Sequence, residues 1–268
     1  MNTNKHELQH MTWKEIEAAF EKDPVIFVPM GSMEEHGPHV PVGDYLSAYE
    51  IARRAAQESG NYCIPPIPFG YSEFFRSFPG TISLSPQTMH DVVHDVCISL
   101  MEHGIKKIIL VSGHYGNAPI LDMLAREIKR EHKLVIGKID LWHCISKEFQ
   151  KELFGDANPM GHGGEPDTSV MRYLFPEDMR MDLLDGPLGE DDSVRKWQDF
   201  DIAHIAVSPL EDVDVSVYFN FEQLSKRGIM GDPTMSDPAN GEKIVNRLVH
   251  YCVEFAKKME NTDTIQYE

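Results

Sequence analysis

Cysteine is scarce in this chain. Cys63, Cys97, Cys144 and Cys252 lie far apart and form no Cys-x-x-Cys pair. That spacing excludes a dense disulfide framework and leaves reduced, mostly buried thiols as the expectation. Basic residues are also in short supply: 25 Lys and Arg stand against 43 Asp and Glu, a formal net charge of −18. A surface of that sign repels phosphate backbones, so nucleic acid is not an expected partner. No run approaches the roughly 18 apolar residues of a membrane helix. The first ten residues, MNTNKHELQH, lack an apolar signal core. A cytoplasmic protein with no membrane partner is therefore expected. Internal repeats and low-complexity segments are absent as well.

What the chain does have is length and a regular alternation of patterns. Its 268 residues are 41% hydrophobic, enough to bury a substantial core without disulfides. Residues 1–268 read as a single domain. The pattern predicts a first helix capped by Thr12, with Trp13, Ile16 and Phe20 on one face. Residues 24–29 are a continuous apolar run between prolines, the mark of a strand buried on both faces. Helices are expected at Tyr45–Ser59, from the Ser85-Pro86 cap to about His103, and at Ala118–His132. Strands are expected at 105–111 and 134–141. After Trp142 the pattern weakens. A helix at 167–175 and a long amphipathic helix at 239–259 close the list. Strand and helix alternate, so a mostly parallel central sheet covered by helices is the natural architecture. Residues 177–214 are acidic and broken by Gly and Pro; they read either as a solvated loop region or as a lid or subunit contact.

Three glycine-rich loops carry histidine. The stretch GSMEEHGPHVPVGD, residues 31–44, begins where the first buried strand ends. Glu34 and His36 are two apart, so in extended backbone they project to one side and offer two metal ligands. Asp44 follows after two prolines, and an aspartate can bridge two ions through its two oxygens. SGHYGN, residues 112–117, again follows a buried strand and precedes a helix. Sites in open α/β sheets gather at the carboxyl ends of strands, so His114 should open onto the same edge as Glu34 and His36. GHGGEPDTS, residues 161–169, offers His162 as a general acid or base and Glu165 as a ligand or proton carrier. The aromatic stretch from Phe69 to Phe78 and Trp142 are candidate pocket walls. A single Glu or His beside a strand is more often a surface residue than a ligand. The combination carries the weight here.

These stretches, with FPGTISL at 78–84 and GIMGDPT at 228–234, resemble the creatininase, or creatinine amidohydrolase, family, in the family's order and over nearly the whole chain. The resemblance implies an α/β fold, a three-layer α/β/α sandwich with a mostly parallel central sheet. It also implies a homo-oligomer, often a hexamer, and one or two divalent metal ions, typically Zn, Mn or Fe. Carried over by position, Glu34, His36, Asp44 and His114 match the family's metal ligands, Asp44 as the bridge. His162 matches a catalytic histidine. Ser72 and Tyr115 fall where creatinine-hydrolysing members contact substrate. Those members resemble His-Tyr-Glu at the His114 loop, where this chain has Gly116, which leaves Glu165 to supply the missing carboxylate. They also carry a Trp four residues before the catalytic His, where this chain has Asn158. Many relatives have a His in the aromatic stretch, where Phe74, Phe75 and Arg76 stand here.

The expected activity is hydrolysis of a non-peptide C–N bond in a small amide, cyclic amide or formamide by metal-activated water, with creatinine itself disfavoured as substrate. A deformylase acting on a formamidopyrimidine-type compound is the alternative within the enzymes. Its phosphate would want a basic pocket, and Arg76 is the only basic residue in the aromatic stretch. A non-catalytic metal- or ligand-binding scaffold is the alternative from another class, and it predicts a broken ligand set.

Overall fold

The computed structural model describes residues 5–184, 196–202 and 205–265. Thr12 caps α1 (Trp13–Phe20) through a full capping box with Glu15, which satisfies two otherwise orphaned donors. Beyond it, β1 (Val25–Met30) is buried along its whole length. It is followed by α2 (Tyr45–Ser59) and the two-residue β2 (Tyr62–Cys63). Then come α3 (Pro86–Glu102), β3 (Lys107–Ser112), α4 (Ala118–His132) and β4 (Gly137–Asp140). The second half holds α5 (Lys147–Phe154), α6 (Asp167–Leu174) and the closing helix α7 (Pro238–Glu260). Four short strands lie between α6 and α7: β5 (Lys196–Trp197), β6 (Phe200–Asp201), β7 (Val207–Leu210) and β8 (Val213–Ser216).

The central sheet has the order β2-β1-β3-β4 and every pairing in it is parallel. Alternate side chains leave opposite faces of a strand, and the two cores divide accordingly. Phe27, Ile109 and Val111 pack with Ile51, Ile244 and Leu248 of α2 and α7. Ile26, Val28, Ile108 and Leu110 pack with Met89, Val93, Leu121 and Leu124 of α3 and α4. The result is the three-layer α/β/α sandwich. A strand covered on both faces has no polar side to show, which is why β1 and β3 are continuous apolar runs. Phe27 is fully buried in the middle of this arrangement. Phe27→Ala is expected to cost about 3–5 kcal/mol of unfolding free energy. Urea denaturation with an unchanged slope measures it, and a loss under about 1 kcal/mol would show that the site can collapse around the void.

Several expectations are refined. On the apolar face of α1, Trp13 is 68% exposed. The strand expected at 134–141 is shorter, because 134–136 turn to meet the chain end through Leu134 and Ile265. The weak pattern after Trp142 conceals α5, capped by Ser146. The described part of 177–214 contains the antiparallel hairpin β5–β6 and most of a second, β7–β8, which runs on to Ser216 and leaves Leu210 and Val213 exposed. Residues 185–195 and 203–204 of that segment lie outside the described residues. Cys63, Cys97 and Cys252 are buried free thiols, and Cys144 is half-buried. Among the described residues, no helix is long and apolar enough to cross a membrane.

Candidate metal centre

Met30 ends β1 beside Ser112, which ends β3. The loops that follow, 31–44 and 113–117, therefore leave the sheet side by side at its carboxyl edge. Asn117 ties them together: its side chain donates to the Gly31 carbonyl at 3.1 Å and accepts from the Tyr71 amide at 3.0 Å. Trp142, just beyond β4, braces the same edge by donating its ring N–H to the Gly113 carbonyl at 2.6 Å.

Asp44 stands at the N-cap of α2 yet makes no capping bond there. Its carboxylate turns back into the loop, where the Ser32 amide donates to Oδ1 at 2.6 Å. Gly31 makes room for this turn, since a Cβ there would lie 2.2 Å from Oδ1. The other oxygen, Oδ2, lies 2.8 Å from Nδ1 of His114 and 4.0 Å from Nε2 of His36. One carboxylate oxygen thus faces two imidazoles.

The tautomers follow from the backbone. A carbonyl oxygen can only accept, so His114, 2.8 Å from the Tyr71 carbonyl, carries its proton on Nε2. Its Nδ1 is the nitrogen turned to Asp44. His36 donates from Nδ1 to the Glu34 carbonyl at 3.1 Å. Its Nε2 then faces Asp44 Oδ2 and, at 3.8 Å, Oδ2 of Asp167. Burial holds the His36 imidazole below its ordinary pKa and so favours the neutral ring. His114 differs: burial opposes its charged form, but Glu34 and Asp44 outweigh it and raise the pKa to about 10. Burial likewise lifts Glu34 to about 8 and Asp167 to about 6. Four acids and bases thus crowd a small volume.

Glu34, Asp44 and His114 form one group whose donor atoms lie within 4.8 Å of one another; Glu34, His36 and His162 form a second. Glu34 belongs to both. Its Oε2 is buried and has no hydrogen-bond partner among the described residues, a costly state for a carboxylate oxygen unless something else occupies its lone pairs. Donor atoms that share one ion at 2.0–2.2 Å sit roughly 3–4 Å apart. The 3.8 and 4.0 Å separations from His36 Nε2 to Asp167 Oδ2 and Asp44 Oδ2 fall in that range, and the bare Nδ1 of His114 lies 2.8 Å from Asp44 Oδ2. These residues fit a divalent cation.

His162 is held by its neighbours' rings. Phe75 stacks on it at 4.1 Å between centroids and His36 at 4.6 Å, while Phe221 meets it edge-on at 4.9 Å. Burial lowers its pKa to about 3, so the ring is neutral. The Nδ1 atom lies 3.8 Å from Glu34 Oε1, and Nε2 lies 3.2 Å from Glu35 Oε1.

Other expected residues go elsewhere. Glu165 is not in either donor group among the described residues. It is fully buried, with Ser169, Arg172 and Asp232 as its neighbours. The carboxylate brought to His36 is that of Asp167, the first residue of α6. A glycine-rich turn gives side chains no fixed direction, so spacing from His162 could not tell the two acids apart. Gly116 has a steric reason: a Cβ there would lie 2.2 Å from the Tyr71 carbonyl and 2.6 Å from His114 Nε2. Ser72 is buried, 3.2 Å from His114 Nε2 and 2.5 Å from the Ser32 hydroxyl. Tyr115 is 65% exposed and packs edge-on against His143. Of the aromatic stretch, Phe75 reaches His162, while Phe69 is partly exposed. Asp167, Glu35 and Phe221 were missed by sequence reasoning. Only Glu35 left a signal: strand-like alternation sends it to the side opposite Glu34.

Comparisons with known proteins place the chain in a family. The creatininase (creatinine amidohydrolase) family profile matches residues 9–256. The creatinine amidohydrolase of Pseudomonas putida is 29% identical over 197 residues, covering 66% of this chain and 75% of that protein. The mycofactocin precursor peptide peptidase of Mycobacterium ulcerans (strain Agy99) is 28% identical over 251 residues, covering 86% and 83%. Among solved structures, a manganese creatininase superposes with a TM-score of 0.77 at 24% identity, over 95% of this chain and 98% of that one. At that identity the superposition speaks for the fold. The family match spans nearly the whole chain, and with it the loops described above: this protein belongs to the creatininase family.

Proposed function

We propose that this protein is a metal-dependent hydrolase of a carbon–nitrogen bond in a small amide, cyclic amide or formamide. The observation that carries the reading is the pair of donor groups sharing Glu34, with that residue's Oε2 buried and without a hydrogen-bond partner among the described residues. The names of the two curated relatives, an amidohydrolase and a peptidase, have C–N cleavage in common. The match over 9–256 supports treating the chain as one creatininase-like domain, with 177–214 as an excursion from it.

Glu34, Asp44 and His114 would hold one ion; His36, with Glu34 and Asp167, would complete a second position. Two carboxylates and a neutral imidazole suit Zn, Mn or Fe. A divalent ion there supplies two things, a bound water whose pKa falls from 15.7 towards roughly 7 and a polarised carbonyl. The chain's own residues do the rest. Asp44 Oδ2 is fixed because Ser32 holds Oδ1. His36 and His114 present defined nitrogens because backbone carbonyls take their other protons. The His162 ring, neutral and clamped between Phe75 and His36, carries a proton between the attacking water and the leaving nitrogen. Phe75 and Phe221 keep bulk water from that ring.

A panel of lactams, cyclic ureas, formamides and short peptides, run with metal analysis, tests the reading. Turnover of a non-peptide amide that chelation stops and Mn or Zn restores is the expected result. Turnover of peptides alone would move the substrate class, and turnover that survives chelation would end the metal reading. Asp167→Asn is a finer test. Metal affinity or rate is expected to fall about 10–100-fold, the scale for groups that support a metal site. Unchanged stoichiometry and rate would remove Asp167 from the centre.

A further inference from the structure

Glu35 sits between two donor residues and belongs to neither donor group. It is buried, 5% exposed, and its two oxygens have separate tasks. Oε2 accepts the Gly37 amide at 2.7 Å, and Oε1 lies 3.2 Å from Nε2 of His162. Space for this carboxylate comes from Gly228: a Cβ there would lie 2.0 Å from Glu35 Oε2. The GIMGDPT stretch therefore has a packing task at the site, which its distance in sequence from residue 35 conceals.

The arrangement decides which nitrogen of His162 is bare. A neutral imidazole has one N–H and one lone pair, and the partner of one nitrogen sets the role of the other. With the carboxylate accepting at Nε2, the lone pair is on Nδ1, the atom 3.8 Å from Glu34 Oε1 and so on the side of the metal-donor groups. The stacked rings of Phe75 and His36 hold the plane; they cannot choose the tautomer, and Glu35 can.

We propose that Glu35 is the positioning residue for His162: it takes the Nε2 proton in a hydrogen bond and so turns a bare Nδ1 towards the reaction centre. The inference rests on the assignment of His162 to proton transfer. It is the role a buried carboxylate plays in orienting a catalytic or metal-binding histidine generally, reached here from the loop that also supplies the donors Glu34, His36 and Asp44.

Glu35→Gln in the zinc-loaded enzyme tests it with almost no change in volume. Gly37 and His162 both donate to residue 35, and a glutamine has one accepting atom. The backbone N–H of Gly37 cannot reverse, so the amide oxygen goes there. The amide NH₂ then faces Nε2 of His162 and forces the ring proton onto Nδ1. The expected results are a move of the His162 15N signals from the Nε2–H to the Nδ1–H tautomer, unchanged zinc content, and kcat lower by about 10²–10⁴-fold with KM unchanged, read on the fastest amide of the panel. His162 remaining protonated at Nε2, kcat within twofold of the parent, or loss of zinc would each overturn the proposal. His162→Ala separates the two layers. A slow His162→Ala beside a fast Glu35→Gln sinks Glu35 alone, while a fast His162→Ala sinks the reading beneath it.

Discussion

His114→Ala is expected to lose bound metal and turnover together. His114 is the residue of the β3 loop that meets the β1 loop, through Nδ1 to Asp44 at 2.8 Å and across from Glu34 at 3.5 Å. Alanine removes the only nitrogen in that group and leaves two buried carboxylates facing each other. Their mutual repulsion then has to be relieved by protonation, which removes them as ligands. Glu34→Gln should act similarly with less change of shape, because Glu34 serves both donor groups. Outer residues of metal sites typically cost 10–100-fold in affinity; these two should cost more than about 100-fold. Metal content after dialysis, measured beside turnover, is the readout. Full turnover of either variant in chelated buffer contradicts the mechanism.

His162→Ala should separate rate from metal. The ring is buried among Phe75, Phe221 and His36, and burial lowers its pKa to about 3. It is suited to carry a proton briefly within the reaction and to hold none at rest. Loss of a positioned acid or base costs about 10²–10⁴ in rate, and that loss is expected here with metal content near that of the parent. Since His162 also stands in the donor group with Glu34 and His36, the opposite outcome has a definite meaning. If metal leaves with the ring, His162 is a ligand and the proton must travel through another group.

Much of the fold was legible because burial leaves a pattern. All six residues of β1 are buried, so its sequence shows no polar alternation. The limits of α2 and α4 could be read from composition and the periodic apolar face. The second half was harder. Ser146 caps α5, but the helix's buried positions, Phe149 and Phe154, are too few to show a period. β2 has two residues and β5 to β8 no more than four, lengths at which pairing partners rather than side-chain pattern decide the structure.

The site divides along the same line. Glu34, His36 and His114 lie in loops that directly follow buried strands, where position along the sheet predicts position in space. Asp44 enters because α2 begins there and its carboxylate is turned back by Ser32. Asp167 and Glu165 both follow His162 in a loop shaped by glycine packing against Gly228 and Gly231. Only contacts between distant segments determine which of these two acids reaches His36. The role of Gly116 is of the same kind: the Tyr71 carbonyl that excludes a side chain there is also the acceptor that orients His114.

The most direct test is an anomalous difference map from crystals of the enzyme loaded with zinc or manganese. The account predicts a peak bounded by Nδ1 of His114, Oδ2 of Asp44 and the carboxylate of Glu34. A map with no peak there, from protein that turns over its substrate, would contradict it.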